Sequence, residues 1–333
     1  MEFRSKINIP PSNISISHKE HLLAFGSCFS ENIGRLLYEN KFNINSNPFG
    51  ILYNPKSISQ AINRIIEGKT FTENEIIYHN GLYHSFWHHG DFSSADKLTC
   101  INRINDALTT ATCSIKKADI LIITFGTAYV FQAKELNLIV GNCHKLPAST
   151  FSRYRLDIHS IVEDWNTLIR MLREINPNLK IIFTVSPIRH LKDGAHDNQL
   201  SKSILLLAID QLIRNNEGTS YFPSYEIVLD ELRDYRFYNE DMTHPTLLAV
   251  KYIWQRFSEM FFNEDTAQII KEWAKINNAL NHRAINADST EHKDFLKQTL
   301  LKLQAFNKKY PYICCKKEIT KLEKILSQTI REK

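Results

Sequence analysis

Long apolar runs are missing from this chain. No stretch approaches the roughly 18 uninterrupted apolar residues that a membrane-spanning helix needs. The opening MEFRSKINIPPSN has no apolar segment of the kind a secretory leader carries, so the expectation is a cytoplasmic protein with no membrane association. Cysteine is sparse and unpatterned. Cys28, Cys100, Cys113, Cys143, Cys314 and Cys315 form no C-x-x-C pair, and the adjacent last two would make an awkward disulfide. A cysteine zinc motif is thereby excluded, and a reducing compartment fits best. Glycine and proline number 10 each in 333 residues. No internal repeat or low-complexity tract is present, which removes repeat architectures.

A strongly basic body is missing as well. The net charge of +5 is concentrated in residues 302–333, where nine Lys or Arg face three Glu. The rest of the chain holds 32 basic and 33 acidic residues, a balance of −1. A nucleic-acid partner is therefore not expected. The basic tail reads as a solvated helix face, with a protein-contact surface as the other reading.

What is present is an alternation of strands and helices, built from 43% hydrophobic residues. Leu22–Phe25 is a strong strand, followed by a helix over about 31–40 with Ser30 as N-cap and Ile33, Leu36 and Leu37 on its buried face. A helix over 57–67 precedes an aromatic and histidine-rich segment, IIYHNGLYHSFWHHGDFS, read as a long irregular excursion. ADILIITFGTAYVF and LKIIFTVSP give continuous apolar strands of the buried parallel kind. Helices are expected over 158–175, 201–214 and 246–261, and YFPSYEIVLDEL supplies a further strand. This alternation predicts a three-layer α/β domain with a mostly parallel, doubly wound sheet over residues 1–264. From 265 to 333 the pattern changes to helices alone, with Leu296, Leu300, Leu303 and Phe306, then Ile319, Leu322, Leu326 and Ile330, at helical spacing. That segment reads as a C-terminal helical appendage.

In parallel sheets of this kind ligands gather beyond the carboxyl ends of the strands. Four loops fall there: GSC after the first strand, GTA after LIITF, SPIRH after IIFTV, and DMTH beyond the last strand. Ser27 sits between a strand and a helix, where amides at the helix start favour developing negative charge. A serine hydroxyl needs a base to become a nucleophile. Asp241-Met242-Thr243-His244 offers one, since the spacing lets the carboxylate accept from Nδ1–H while Nε2 faces the serine. Each part is common on its own; their shared placement at one sheet edge points to a Ser27, Asp241, His244 triad.

FGSCFSENIG, NPFGILYNP, ITFGTAYVF, NCHKLPA, FTVSPIRHLKDGAHDNQLSK, YFPSYEIVLDELRDYRFY and EDMTHP together resemble the GSCFA family, a group within the SGNH or GDSL-like hydrolase superfamily. The match runs in order over about residues 20–262. The resemblance implies a flavodoxin-like three-layer fold with Ser27 as nucleophile and Asp241 and His244 as its partners. It also implies that the Gly50 N–H joins that of Ser27 in an oxyanion hole. The superfamily's third block usually reads G-x-N-D, whereas Gly126-Thr127-Ala128-Tyr129 has no asparagine. Thr127 is the leading substitute donor, with Asn142 and His144 as alternatives.

The remaining candidates carry blander readings beside the functional ones. His79, His84, His88 and His89 lack a helical ligand pair, so packing or cleft lining is expected rather than metal. Cys28, next to the nucleophile position, reads as a buried thiol. Arg189 and His190 either bind a polar substrate or order their loop, and Tyr129, Tyr53 and Trp87 could stack on a sugar. The expected activity is cofactor-free serine ester hydrolysis of a small O-acyl ester, by resemblance an O-acetyl group and possibly that of a carbohydrate, or the related O-acyl transfer. The alternative is a binding or scaffolding protein with an impaired oxyanion hole on the same fold.

Overall fold

The computed structural model describes residues 5–282 and 289–331. Residues 1–4, 283–288 and 332–333 lie outside them, the basic residue Lys333 included, as do the side chains of Ile330 and Arg331.

From the amino terminus, β1 (His21–Gly26) runs into α1 (Cys28–Glu39), and β2 (Asn43–Ser46) into α2 (Pro55–Glu67). A hairpin of β3 (Ile76–His79) and β4 (Leu82–Ser85) precedes α3 (Lys97–Ile115) and β5 (Ile120–Phe125). A small separate sheet follows, made by β6 (Tyr129–Ala133), β7 (Leu138–Ile139) and β8 (Phe151–Arg155). Next come α4 (Ile158–Ile175), β9 (Lys180–Val185), α5 (Ala195–Asn215), β10 (Thr219–Phe222), the single turn α6 (Ser224–Glu226) and α7 (Leu247–Phe261). Three helices end the described chain: α8 (Glu264–Leu280), α9 (Thr290–Lys309) and α10 (Lys316–Arg331).

The main sheet has the order β10-β9-β5-β1-β2, with every pairing parallel. Counted by occurrence, its strands lie 2-1-3-4-5, the doubly wound flavodoxin-like order. Side chains alternate across it with the two-residue period of a pleated strand. Leu23, Phe25, Leu121, Ile123, Ile181 and Phe183 face a core shared with α2, α3, α4 and α5. Leu22, Ala24, Ile120, Ile122 and Ile182 face the opposite core, closed by α1 and α7. Both faces are covered, which explains why these strands read as unbroken apolar runs. The expected three-layer α/β architecture is therefore present.

Several local expectations change. The first helix begins at Cys28 with Ser27, not Ser30, as N-cap, because the Ser27 side chain accepts from the Phe29 amide. The segment expected to be irregular folds into the β3–β4 hairpin around Asn80-Gly81, both at positive φ. Asn-Gly supplies the backbone twist that a two-residue hairpin turn requires. YFPSYEIVLDEL gives a strand only to Phe222, since Pro223 cannot donate to the ladder and the chain turns helical after it. ADILIITFGTAYVF divides at Gly126 between two sheets. The helix α3 had no counterpart in the sequence reading.

The last three helices close around their own core of Trp273, Ile276, Leu296, Leu303, Phe306, Ile313 and Leu322, among others. They meet the body near the end of α1, where Trp273 Nε1 donates to the Glu39 carbonyl at 2.8 Å and Lys41 pairs with Glu318 at 2.5 Å. Ser27 lies at the other end of that helix, so the bundle docks away from the sheet's carboxyl edge. Among the described residues no helix is long and apolar enough to cross a membrane.

Candidate active site

Gly26 is where β1 turns toward α1. Its φ of +144° suits glycine, and a Cβ there would stand 2.4 Å from the Thr124 carbonyl oxygen on the neighbouring strand. The turn leaves Ser27 2% exposed. Its Oγ accepts from the Phe29 amide at 3.3 Å, a bond that uses a lone pair and leaves the hydroxyl proton free to be given away.

The loop that leads into α7 is closed by its own backbone. Tyr238 and Pro245 form an antiparallel bridge, the Asn239 amide donates to the His244 carbonyl at 2.8 Å, and Met242 takes a positive φ of 56°. Within it, Asp241 Oδ1 accepts from the amides of Thr243 and His244 at 2.9 Å each, and Oδ2 meets His244 Nδ1 at 2.5 Å. The His244 amide, then that of Thr243, then the imidazole hold this carboxyl well below the usual carboxylate range. With Nδ1 fixed, Nε2 is the ring atom left for other work.

Ser27 and His244 line one cleft of about 790 Å³, together with Tyr53, Thr127, Tyr129, Asn142, Ser186 and Arg189. No hydrogen bond joins Ser27 to His244 among the described residues. A second cavity, of about 600 Å³ between the amino-terminal segment and β10, contains none of the candidate residues.

The expected oxyanion donors divide. Gly50 is a correction: its N–H donates to the Asn47 carbonyl at 2.7 Å inside a tight turn, and the residue does not line the cleft. Its φ of +74° and the 2.3 Å that a Cβ would leave to His89 Cβ assign that glycine to turn geometry. The Thr127 amide is likewise engaged, on the Tyr53 carbonyl at 3.0 Å. Its hydroxyl accepts from the Tyr129 amide at 3.1 Å and sits 3.1 Å from Ser201 Oγ. Because Ser201 accepts from the Ala128 amide, it can give its own proton to Thr127 and leave the Thr127 proton for the cleft. Asn142 faces the cleft with Oδ1 accepting from the His144 amide at 2.8 Å, so its NH₂ has no protein acceptor among the described residues. His144 does not line the cleft. It is buried, stacks on His84 at 4.5 Å and bonds the Ser85 carbonyl through Nε2, and burial pushes it down to about 4.

Tyr129, Arg189 and His190 all line the cleft. One face of the Tyr129 ring carries the Arg153 guanidinium at 4.2 Å, leaving at most the other for a sugar. His190 packs edge-on against Tyr53, and burial, followed by the nearby Lys202 charge, pushes it down to about 4. Trp87 is a correction, since it packs against Phe71 and Arg64 away from the cleft. Burial pushes the Cys28 thiol up, away from the thiolate a nucleophile would need. His84 and His88 bond Ser93 and Ser85, and His88 is buried against Phe49. Among the described residues no group of three His, Cys, Asp or Glu could hold a metal.

Two residues of α5 escaped the sequence reading. Lys202 is fully buried, and its Nζ donates at 2.7 Å to the carbonyls of both Gly126 and Ser186, tying the loops after β5 and β9 together beneath the cleft. With Ser201 it grips three consecutive residues, Gly126 to Ala128. The signal was a lysine on the apolar face of a helix, in QLSKSILL, a position that requires dedicated carbonyl partners.

The sequence model described as "GSCFA family" matches residues 21–257. A second, described as "GSCFA domain protein, C-terminal domain", matches residues 273–328. No curated protein matches this chain. Among solved structures, a Clostridium thermocellum family 3 carbohydrate esterase superposes with a TM-score of 0.35 at 12% identity, covering 76% of this chain and 97% of that one.

Proposed function

This chain belongs to the GSCFA family, and we propose that it is a serine ester hydrolase acting on a small O-acyl ester, with O-acetyl on a carbohydrate as the preferred case. The observation that carries the reading is the shared cleft: Ser27 and His244 line it together while Asp241 holds His244 Nδ1. His244 Nε2 takes the Ser27 proton as Oγ bonds to the acyl carbon, and Asp241 orients and stabilises the resulting imidazolium. Collapse of the tetrahedral intermediate expels the alcohol, which leaves with that proton. Water, or an acceptor hydroxyl, then attacks the acyl-enzyme by the reverse route and restores Ser27. The Asn142 NH₂ and the Thr127 hydroxyl are the donors best available to the oxyanion.

In this structure His244 belongs to a loop and has yet to engage Ser27, in keeping with catalytic bonds that tighten only around a bound substrate. Six unpaired thiols accord with a reducing, cytoplasmic setting.

A fluorophosphonate probe followed by peptide mapping tests the reading directly. The adduct is expected on the peptide containing Ser27, and Ser27→Ala is expected to lower aryl acetate hydrolysis by on the order of 10⁶-fold. Full activity in Ser27→Ala would overturn it.

A further inference from the structure

Given that hydrolase reading, we propose that the alcohol part of the substrate carries an anionic group, a carboxylate or a phosphate, gripped by Arg189 and Lys192 at the rim of the cleft. Four charged side chains besides His190 and His244 line this cavity: Arg153, Arg189, Lys192 and Asp193. Arg153 and Asp193 satisfy one another in an ion pair. Arg189 and Lys192 have no ion pair and no hydrogen bond among the described residues. Some exposed or half-exposed cations elsewhere on the body find carboxylates, as Arg35 does Glu39 and Arg233 does Asp230. On the His244 side Asp241 is engaged by that imidazole, and Glu31, whose charge reaches Cys28 and Tyr53, does not itself line the cavity.

The surplus does not reflect a basic protein, since outside residues 302–333 acidic residues outnumber basic ones, 33 to 32. Positive charge is thus placed at the one cleft that holds the candidate nucleophile. A concave wall of one sign concentrates ligands of the other, and a free guanidinium fork fits two oxygens of a carboxylate or phosphate.

Depth decides which part of the ester meets these cations. Ser27 is 2% exposed at the floor, whereas Arg189 and Lys192 are exposed at the rim. A cavity of about 790 Å³ far exceeds an acetyl group, so the alcohol reaches outward to the rim.

The test compares three mono-O-acetylated methyl glycosides: a glucuronoside, its neutral methyl ester, and a glucoside 6-phosphate. One anionic ester is expected to exceed the neutral one in kcat/KM by on the order of 10- to 100-fold, with the advantage shrinking as salt is raised. Whichever anion leads identifies carboxylate or phosphate as the group recognised. Arg189→Gln combined with Lys192→Gln is expected to bring the anionic-to-neutral ratio close to one. Equal turnover of all three by the wild type would overturn the proposal and leave the hydrolase reading standing. Calorimetric titration of Ser27→Ala with the same three esters separates binding from chemistry. Tighter binding of an anionic ester upholds the anion site even where the wild type turns over none of them, and equal affinities overturn it.

Discussion

Ser27 and His244 face one cleft but are held there by opposite means. Ser27 follows a strand paired on both sides, behind a glycine that the neighbouring strand admits only because it lacks a Cβ. His244 and Asp241 have side chains 44% and 50% exposed, and the bonds that shape their loop come from the loop itself. The Ser27 half of the proposed site is therefore coupled to the core, and the Asp241–His244 half is nearly independent of it. Such a division lets the base approach a substrate without disturbing the sheet. It also implies that substitutions in the two halves separate activity from stability in different ways.

The strongest test of that separation is Asp241→Asn. The amide cannot hold the same tautomer of His244, and kcat is expected to fall by on the order of 10⁴-fold. The thermal midpoint is expected to stay where it was, because the group is exposed and its bonds are local. A large loss of stability measured by calorimetry would erase the distinction between the halves. Since hydrogen bonds from the loop amides depress the Asp241 pKa, the carboxylate is ionised at any working pH and stays available to hold His244 Nδ1.

Asn142 lies between the two halves, on the loop that His144 anchors to Ser85. The donor role proposed for it would act in the transition state, so Asn142→Ala is expected to lower kcat by about 10²- to 10³-fold with KM little changed. A change confined to KM would make it a substrate contact instead. The same measurement on Thr127→Val ranks the two donors.

How much of this was legible from the sequence follows the range of the forces involved. The bounds of α4 agree with the sequence reading to the residue, because its apolar spacing ends at Asn176-Pro177, where local chemistry stops a helix. The fold class was readable from alternating buried strands and amphipathic helices. The acid–histidine spacing was readable because the loop bonds span three residues. What could not be read is where each amide finds its acceptor. Gly50 matched a motif, yet its N–H is consumed by Asn47, and Thr127's by Tyr53. Those partners are set by tertiary packing, as are the carbonyls that draw Lys202 into the core. The β3–β4 hairpin is a different kind of miss, since Asn80-Gly81 was a local signal outweighed by the surrounding histidines and aromatics.

Lys202 gives the smallest and sharpest contrast between the halves. Burial pushes its ammonium from 10.5 down to about 7. A folded pKa below the unfolded one means that the unfolded chain takes up the proton first as pH falls. The stability contribution is therefore complete above about 10.5 and declines as pH drops toward about 7, with a slope of at most about 1.4 kcal/mol per pH unit. Lys202→Met removes that titration. Urea unfolding near pH 7.5 and pH 9 is expected to show the wild type gaining up to about 2 kcal/mol relative to the variant. Asp241→Asn, whose carboxyl titrates far below this range, is expected to follow the wild type across it. Parallel behaviour of wild type and Lys202→Met would mean that the lysine is solvated, and the rigid half of the cleft would lose the clamp that joins its two loops.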